Sequence, residues 1–158
     1  MPELTAPAFC TEFAFTARVS VAAPIVVGQG PAGLRRFVAI TGGIVTGPLL
    51  KGSVLAAGGD WQLVRSDGVL ELEARYLIRS DDGVLVAVIN RGLRDGPPAV
   101  MSRLAQGERL AASEYYFRTA AQFEAPMGSR YEWLNKALFV ASAEREPDAV
   151  VVHFFRVL

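Results

Sequence analysis

Reactive side chains are scarce in this chain of 158 residues, which has one cysteine, Cys10, and one histidine, His153. A single cysteine excludes an intrachain disulfide and a cysteine-cluster metal site. A single histidine leaves little for a His-based metal site or a catalytic triad. We therefore expect a protein without a bound metal or cofactor, whose chemistry would depend on carboxylate, tyrosine and arginine side chains.

Net charge and long apolar runs are also absent. The 16 basic and 16 acidic residues cancel, which argues against nucleic acid or an anionic membrane as a partner. No apolar run reaches the roughly 18 residues of a membrane-spanning helix. The start, Met1-Pro2-Glu3-Leu4, lacks the basic and then apolar order of a signal peptide. We expect a cytoplasmic protein.

Helical patterns are rare, and short alternating strands separated by glycine-rich turns dominate. One short helix is predicted over 98–106, after Pro97 and before Gly107, and a single helical turn over 131–136. The predicted strands cover residues 13–21, 34–46, 49–56, 61–65, 70–79, 84–91, 113–124, 138–145 and 149–157.

This order of hairpins, without crossover helices, predicts an all-β fold: a single antiparallel β-barrel domain over residues 1–158 with one short helix. A barrel of about eight strands can hold one small ligand. Apolar residues make up 51% of the chain, a surplus that suits a lined cavity or an oligomer interface. We expect a small-molecule ligand and a homo-oligomer, a dimer or larger.

The segment Gly28-x-Gly30-x-x-Gly33 matches the dinucleotide-binding fingerprint in its letters. That fingerprint needs a helix after it, because the pyrophosphate binds at the helix N-terminus. Residues 34–40 have a strand pattern instead. The motif therefore predicts a turn.

The strand predicted over 70–79 has two different faces, because side chains alternate with period two. One face is apolar, with Leu70, Leu72, Ala74, Tyr76 and Ile78, and the other carries Glu73 and Arg75. If the charged face points outward, the pair is a surface ion pair. If it points inward, the carboxylate can act as a general base and the guanidinium can hold an anionic oxygen, with Asp60 and Trp61 nearby.

Two further stretches are rich in polar aromatic groups. Tyr116 and Arg118 share one face of the strand predicted over 113–124, where a hydroxyl can donate to an oxyanion and a guanidinium can bind a carboxylate; the alternative is that the aromatic residues of this strand pack in the core. Trp133 and Asn135 lie in the predicted turn over 131–136. This turn could close one barrel end, or its aromatic groups could fill the core.

Seven short motifs, in order along residues 8 to 158, resemble a bacterial and fungal family of unknown function, the DUF3237 or UPF0311 proteins. They are Pro31-Ala32-Gly33-Leu34-Arg35-Arg36, Ile40-Thr41-Gly42-Gly43, Gly58-Gly59-Asp60-Trp61-Gln62, Ala74-Arg75-Tyr76, Asp81-Asp82-Gly83, Tyr116-Phe117-Arg118-Thr119 and Tyr131-Glu132-Trp133-Leu134-Asn135. The resemblance implies a barrel with a central cavity, similar to calycins or allene-oxide-cyclase-like barrels. It also favours an inward position for Glu73 and Arg75. Glu73 stands where the family usually has aspartate, so its carboxylate would reach about one methylene further.

Three functions fit these features. The first is a cofactor-independent acid–base enzyme, an isomerase, cyclase, hydratase or lyase, for a small, partly apolar oxygenated molecule. Its predicted catalytic residues are Glu73, Arg75, Tyr116, Arg118 and Asp60, and its predicted substrate-binding residues are Trp61, Tyr76, Trp133 and Asn135. The second is a barrel that binds a small molecule without catalysis. The third is a structural oligomer whose barrel is filled by side chains.

Overall fold

The computed structural model describes residues 6–158, so the Met1–Leu4 start lies outside the described residues. Nine strands and one α-helix alternate with tight turns. The strands are β1 (Thr11–Val21), β2 (Ile25–Gly30), β3 (Gly33–Thr46), β4 (Gly52–Val64), β5 (Leu70–Ser80), β6 (Leu85–Asp95), β7 (Tyr116–Glu124), β8 (Phe139–Arg145) and β9 (Ala149–Val157). The helix α1 (Pro98–Ala105) follows β6, and short 3-10 turns cover Ala112–Glu114 and Glu132–Lys136.

Eight of the strands close into an antiparallel barrel. Their hydrogen-bonded order is β1-β9-β8-β7-β6-β5-β4-β3, and β1 pairs with the second half of β3 to complete the ring. β2 pairs with the first half of β3, outside the closed ring. The predicted all-β, antiparallel barrel with one short helix is confirmed.

Two local predictions need correction. β2 was not predicted, because Ile25, Val26 and Val27 form a short apolar run without alternation; all three side chains are exposed on this outer strand. β4 was predicted as two strands separated by a turn at Gly58-Gly59, but the strand is continuous. The irregularity there is a bulge against β5, between Val54 and Gly58, which bends a strand without ending it.

Side chains that point into one half of the barrel form a packed aromatic cluster. Phe15, Phe123, Phe139 and Phe154 contact one another with ring centroids 4.8–5.5 Å apart. Phe15 and Phe154 are fully buried. This half of the barrel is filled, so open interior space lies in the other half.

The bulge at Gly58 is expected to be intolerant of a side chain. Gly58 has φ +118°, and a Cβ atom there would overlap the carbonyl oxygen of Arg75 on β5. We expect Gly58→Ala to lower the free energy of unfolding by about 1–3 kcal/mol from backbone strain and by about 1–3 kcal/mol more from overpacking. Urea unfolding followed by circular dichroism measures the loss.

Gly28 provides the matched control for that substitution. It has a similar backbone angle, φ +131°, but no heavy atom lies within 4 Å of an added Cβ. Gly28→Ala is therefore expected to show only the backbone part of the loss. Equal losses for the two variants would contradict a close approach of β4 and β5 at Gly58.

Candidate functional site

The charged face of β5 lies on the outside of the barrel. Leu72, Ala74 and Tyr76 point inward, and the alternating side chains of Glu73 and Arg75 are 36% and 56% exposed. Arg75 Nη2 lies 2.9 Å from Glu73 Oε1, and Arg91 Nε lies 3.3 Å from Glu73 Oε2. Hydrogen bonds from Arg91, which has the larger effect, and from Arg75 hold the pKa of Glu73 below its usual range. The prediction that Glu73 and Arg75 face the cavity is wrong, because the apolar face of the same strand occupies the interior.

Three other predicted residues lie on the same outer surface. Tyr116 is 54% exposed and Trp61 is 51% exposed. The Arg118 guanidinium lies 5.5 Å from the centre of the Tyr116 ring, and Trp61 pairs with Glu73 across β4 and β5. Tyr116 and Arg118 line an open outer groove of about 670 Å³. The structure therefore brings the predicted Trp61, Glu73, Tyr116 and Arg118 to one surface, but it is the outer surface.

Trp133 and Asn135 lie beside the aromatic cluster. The ring of Trp133 is 6.0 Å from that of Phe139. Asn135 Oδ1 accepts a hydrogen bond from the Ala125 N–H at 2.7 Å, and Asn135 Nδ2 donates to the Ala125 carbonyl at 2.9 Å. These contacts hold the chain after β7 against the filled half of the barrel. Neither residue lines an interior cavity among those formed by the described residues.

Asp60 and Tyr76, in contrast, face the interior. They line a cavity of about 50 Å³ whose other walls include Ile40, Leu72 and Val152. Asp60 is 9% exposed and Tyr76 is 5% exposed. Of the two carboxylates that the sequence offers as a base, only Asp60 reaches this space.

The Asp60 carboxylate is held by β4 and β5. Its Oδ2 accepts a hydrogen bond from Gln62 Nε2 at 2.8 Å, and its Oδ1 accepts one from the Glu73 backbone N–H at 3.0 Å. Burial raises the pKa of Asp60, and these two hydrogen bonds together with Arg94 and Arg36 oppose the rise. The result is a fixed carboxylate that takes up a proton more readily than an exposed aspartate does.

Other polar groups in this cavity lack protein partners. Tyr76 Oη, Asn90 Oδ1 and Thr119 Oγ1 are buried and form no hydrogen bond within the described part of the chain. Burial raises the pKa of the Tyr76 hydroxyl, so this group keeps its proton and can donate a hydrogen bond. Buried polar groups are nearly always paired in folded proteins. Their orientation toward the cavity suits a polar ligand.

Asp60 also lines a second cavity, of about 70 Å³, at the end of the barrel covered by α1. Arg36, Arg94 and Arg145 contribute the cationic part of its wall, and Leu104 and Ala105 of α1 contribute part of its cover. Arg36 Nη2 donates to Gln62 Oε1 at 2.5 Å. A chain of hydrogen bonds therefore runs from Arg36 through Gln62 to Asp60.

Sequence reasoning missed these three arginines, Gln62 and Asn90. A signal was present on β6, where Asn90 and Arg94 occupy the inward register of Val86 and Val88. A polar residue on the apolar face of a strand has to be paired or functional, because its burial is otherwise costly. The predicted strand ended at residue 91, so Arg94 was not assigned to that face.

Residues 6–158 offer neither a metal cluster nor a membrane-spanning helix. In this range no group of three or more His, Cys, Asp or Glu side chains lies close enough together to hold a metal ion. Likewise, none of the helices formed by these residues is long and apolar enough to cross a membrane. The expected absence of metal and cofactor stays a prediction.

The sequence profile of a family described as "Protein of unknown function (DUF3237)" matches residues 9–157. The chain belongs to this family. A UPF0311 protein of Rhodopseudomonas palustris is 38% identical over 152 residues, which cover 96% of this chain and 99% of that protein. The match confirms the family resemblance drawn from the seven motifs.

Solved structures of similar proteins agree with the barrel. The crystal structure of the Rhodopseudomonas palustris protein of unknown function superposes with a TM-score of 0.92 at 38% identity, over 97% of this chain and all of that one. A "beta-barrel like protein" of Acinetobacter baumannii gives a TM-score of 0.84 at 35% identity, over 99% of this chain and all of that one.

A fungal protein named "Hydroalkoxylation enzyme", from Penicillium herquei, is 33% identical over 78 residues, which cover 49% of this chain and 51% of that protein. A crystal structure of an enzyme from the same fungus has a TM-score of 0.72 at 20% identity, with 98% of each chain covered. At that identity the structural match shows a shared fold only.

Proposed function

We propose that this DUF3237 protein is a cofactor-independent acid–base enzyme for a small, partly apolar oxygenated molecule. The reaction would be an isomerisation, cyclisation, hydration or elimination, and the base would be Asp60. The observation that carries the proposal is the position of Asp60, a buried carboxylate that lines both an apolar interior cavity and a cationic one.

Asp60 suits a role in proton transfer. General bases work best when their pKa lies nearer to the working pH than that of an exposed carboxylate, and burial moves Asp60 in this direction. Glu73 is a weaker candidate, because two arginines stabilise its ionised form at the surface. Tyr76 takes the role of proton donor that the sequence suggested for Tyr116, since its hydroxyl is buried beside Asp60 and unpaired.

In a cyclisation of this kind the Asp60 carboxylate would take a proton from an O–H group of the substrate. The oxygen would then bond to one carbon of a C=C double bond, and the other carbon would receive the proton back from Asp60, either directly or through the Tyr76 hydroxyl, which would take up the Asp60 proton as it gives its own. Atoms balance within the substrate, and neither an oxidant nor a reductant is consumed. Hydroalkoxylation is this addition of O–H across C=C, and it is the activity in the name of the fungal relative.

The size of the two cavities requires α1 to move when a ligand binds. Each is far smaller than the roughly 300–1,000 Å³ of a typical ligand pocket, at about 50 and 70 Å³. α1 buries only Leu104 among its residues and follows Gly96-Pro97. Val100 and Met101 are partly buried against the core as well, and displacement of this short helix would join the cavity beneath it to solvent.

A screen in ²H₂O tests the proposed activity across a set of candidate substrates. Alkenyl phenols, beginning with 2-prenylphenol, and alkenyl carboxylic acids are incubated with the protein and analysed by liquid chromatography and mass spectrometry. We expect an isomeric product that carries one deuterium on carbon, because the proton delivered to carbon comes from an exchangeable group. Heat-denatured protein is the control.

Binding without any product in that screen would support the second candidate, a non-catalytic small-molecule-binding barrel. One observation favours this candidate: both oxygens of Asp60 already accept hydrogen bonds from the protein. Nuclear magnetic resonance shifts of Thr119 and Asn90 on addition of each compound would detect such binding. The cytoplasmic location, the homo-oligomer and the single domain over residues 1–158 stay predictions.

A further inference from the structure

The cavity at the end of the barrel covered by α1 has more positive than negative charge in its wall. Arg36, Arg94 and Arg145 line the cavity beneath α1, and Asp60 is the one carboxylate among the lining residues. Among the described residues, no carboxylate lies within ion-pair distance of any of these three guanidinium groups. Three cations therefore surround one anion at this end of the barrel.

Arg94 is the most deeply placed of the three. It is 5% exposed, its guanidinium lies 5.6 Å from the centre of the Phe117 ring, and its Nε has no hydrogen-bond partner in the described part of the chain. The Nε of Arg36 is likewise buried and unpaired. Buried guanidinium groups are normally paired bidentately with an anion. Here the donors are present, and Asp60, the one carboxylate that lines the cavity, forms no ion pair with either guanidinium group.

The environment of Arg94 disfavours its charge, and the charge persists nevertheless. Burial, then repulsion from Arg145 and Arg36, lowers the pKa of Arg94 to about 10. At neutral pH the group is still protonated. An uncompensated buried charge is strongly destabilising, so a site of this kind is stabilised when a ligand brings the missing negative charge.

The shape and lining of the cavity favour a carboxylate over a phosphate. Phosphate sites commonly use backbone N–H groups at a helix N-terminus or in a glycine-rich loop. The glycine motif of this chain, Gly28 to Gly33, instead covers the end of β2, a two-residue turn and the first residue of β3. The cavity wall combines arginine side chains with apolar groups such as Val38 and Leu104. Guanidinium groups bind both anions, and the apolar wall matches the carbon skeleton that a carboxylate carries.

We propose that the substrate of the interior site carries a carboxylate, which binds to Arg94 and Arg36 at the α1 end of the barrel. This inference rests on the proposed function, because it assigns the substrate class of the same site. The carbon skeleton then extends past Asp60 into the apolar cavity lined by Ile40 and Leu72. Arg145, held by its backbone N–H donating to Tyr115 Oη at 2.7 Å, completes the cationic wall.

The test compares an acid with its neutral isostere by isothermal titration calorimetry. Benzoate is expected to bind about tenfold or more tightly than benzamide, because only the acid supplies the charge that the arginines lack. Isobutyrate and isobutyramide repeat the comparison with a smaller skeleton. Equal binding within both pairs, or no binding of either acid, would overturn the proposal. Displacement of benzoate by inorganic phosphate at equal concentration would overturn the choice of carboxylate.

Variants locate the site and separate it from catalysis. Arg94→Met keeps the bulk of the side chain and should abolish the preference for benzoate. Arg36→Gln should weaken it, and serves as the test if Arg94→Met does not fold by circular dichroism. Arg79→Gln, on the exposed face of β5, is the control and should retain the preference. A preference retained in both Arg94→Met and Arg36→Gln would place the anion elsewhere and overturn the assignment.

Asp60→Asn distinguishes the carboxylate site from the proposed reaction. Removal of the one negative charge in the cavity should tighten benzoate binding severalfold, whereas it should slow the deuterium incorporation expected of the enzyme by roughly 10²-fold or more. Weaker benzoate binding in this variant would contradict the charge argument. Retained turnover together with tighter binding would instead remove Asp60 from the mechanism and leave the anion site in place.

Discussion

Asp60→Asn is expected to lower kcat/KM by roughly 10²- to 10⁴-fold, the usual contribution of a general base. Asparagine has nearly the same shape as aspartate and still offers an oxygen to the Glu73 backbone N–H, which Asp60 Oδ1 now accepts at 3.0 Å. It cannot accept a proton from the substrate. Steady-state kinetics on a substrate identified in the ²H₂O screen, with circular dichroism to confirm the fold, measure the loss.

The pH dependence of the wild-type reaction follows from the same assignment. A base has to be deprotonated to act, so kcat/KM should rise with pH through the pKa of Asp60. Burial raises this pKa, so the rise of kcat/KM on the acid side of the pH profile, its acid limb, should occur at a higher pH than it would for an exposed aspartate. The limb should be absent from the residual activity of Asp60→Asn. A limb that persists in the variant would assign it to another group.

Glu73→Gln distinguishes the two carboxylates that the sequence offers. Glu73 lies on the outer surface between Arg75 and Arg91, so its loss should leave kcat/KM within about twofold, as for most surface substitutions. If Glu73→Gln abolishes turnover and Asp60→Asn does not, the interior site is wrong and the outer groove lined by Tyr116 and Arg118 becomes the active site.

The fold could be predicted from the sequence because most of the strands carry their own signal. The alternation along 70–79 identified the two faces of β5, and the turn residues Asp81-Asp82-Gly83 marked the end of the hairpin. Which face lies inside is a different question, since a polar face can line a cavity. The interior of this barrel is mainly apolar, so the face with Leu72 and Ile78 occupies it.

The site itself could be predicted only in part. Asp60 was recognised because it belongs to a dense polar motif, but Arg36, Arg94 and Arg145 are single residues on three strands that meet only through the barrel register. Arg94 belongs to β6, Arg36 to β3 and Arg145 to β8. Their proximity depends on the closure of β3 onto β1 and on the stagger of the strands, which local patterns do not contain.

Phe154→Ala is expected to reduce the free energy of unfolding by about 3–5 kcal/mol, the range for removal of a large buried aromatic side chain. Phe154 is fully buried, and its ring lies 4.9 Å from that of Phe15 and 5.4 Å from that of Phe123. The cluster joins residues from β1, β7, β8 and β9 around the filled half of the barrel. A cavity at its centre cannot collapse easily, because backbone hydrogen bonds fix the strands on all sides. Urea unfolding measures the loss.

Phe155→Ala is the matched control, because Phe155 is the next residue of β9 and points to the outer face. Its ring contacts only Phe13 among the described aromatic pairs, at a centroid distance of 5.6 Å. The expected loss is about 1 kcal/mol, since the side chain is only partly removed from water. Equal losses at the two positions would mean that both faces of β9 are buried, as in a sheet covered on both sides. A larger loss for Phe154→Ala than for Phe155→Ala requires that the inner face of β9 is shielded from water and the outer face is not. The same shielding of the barrel interior desolvates Asp60 and Arg94.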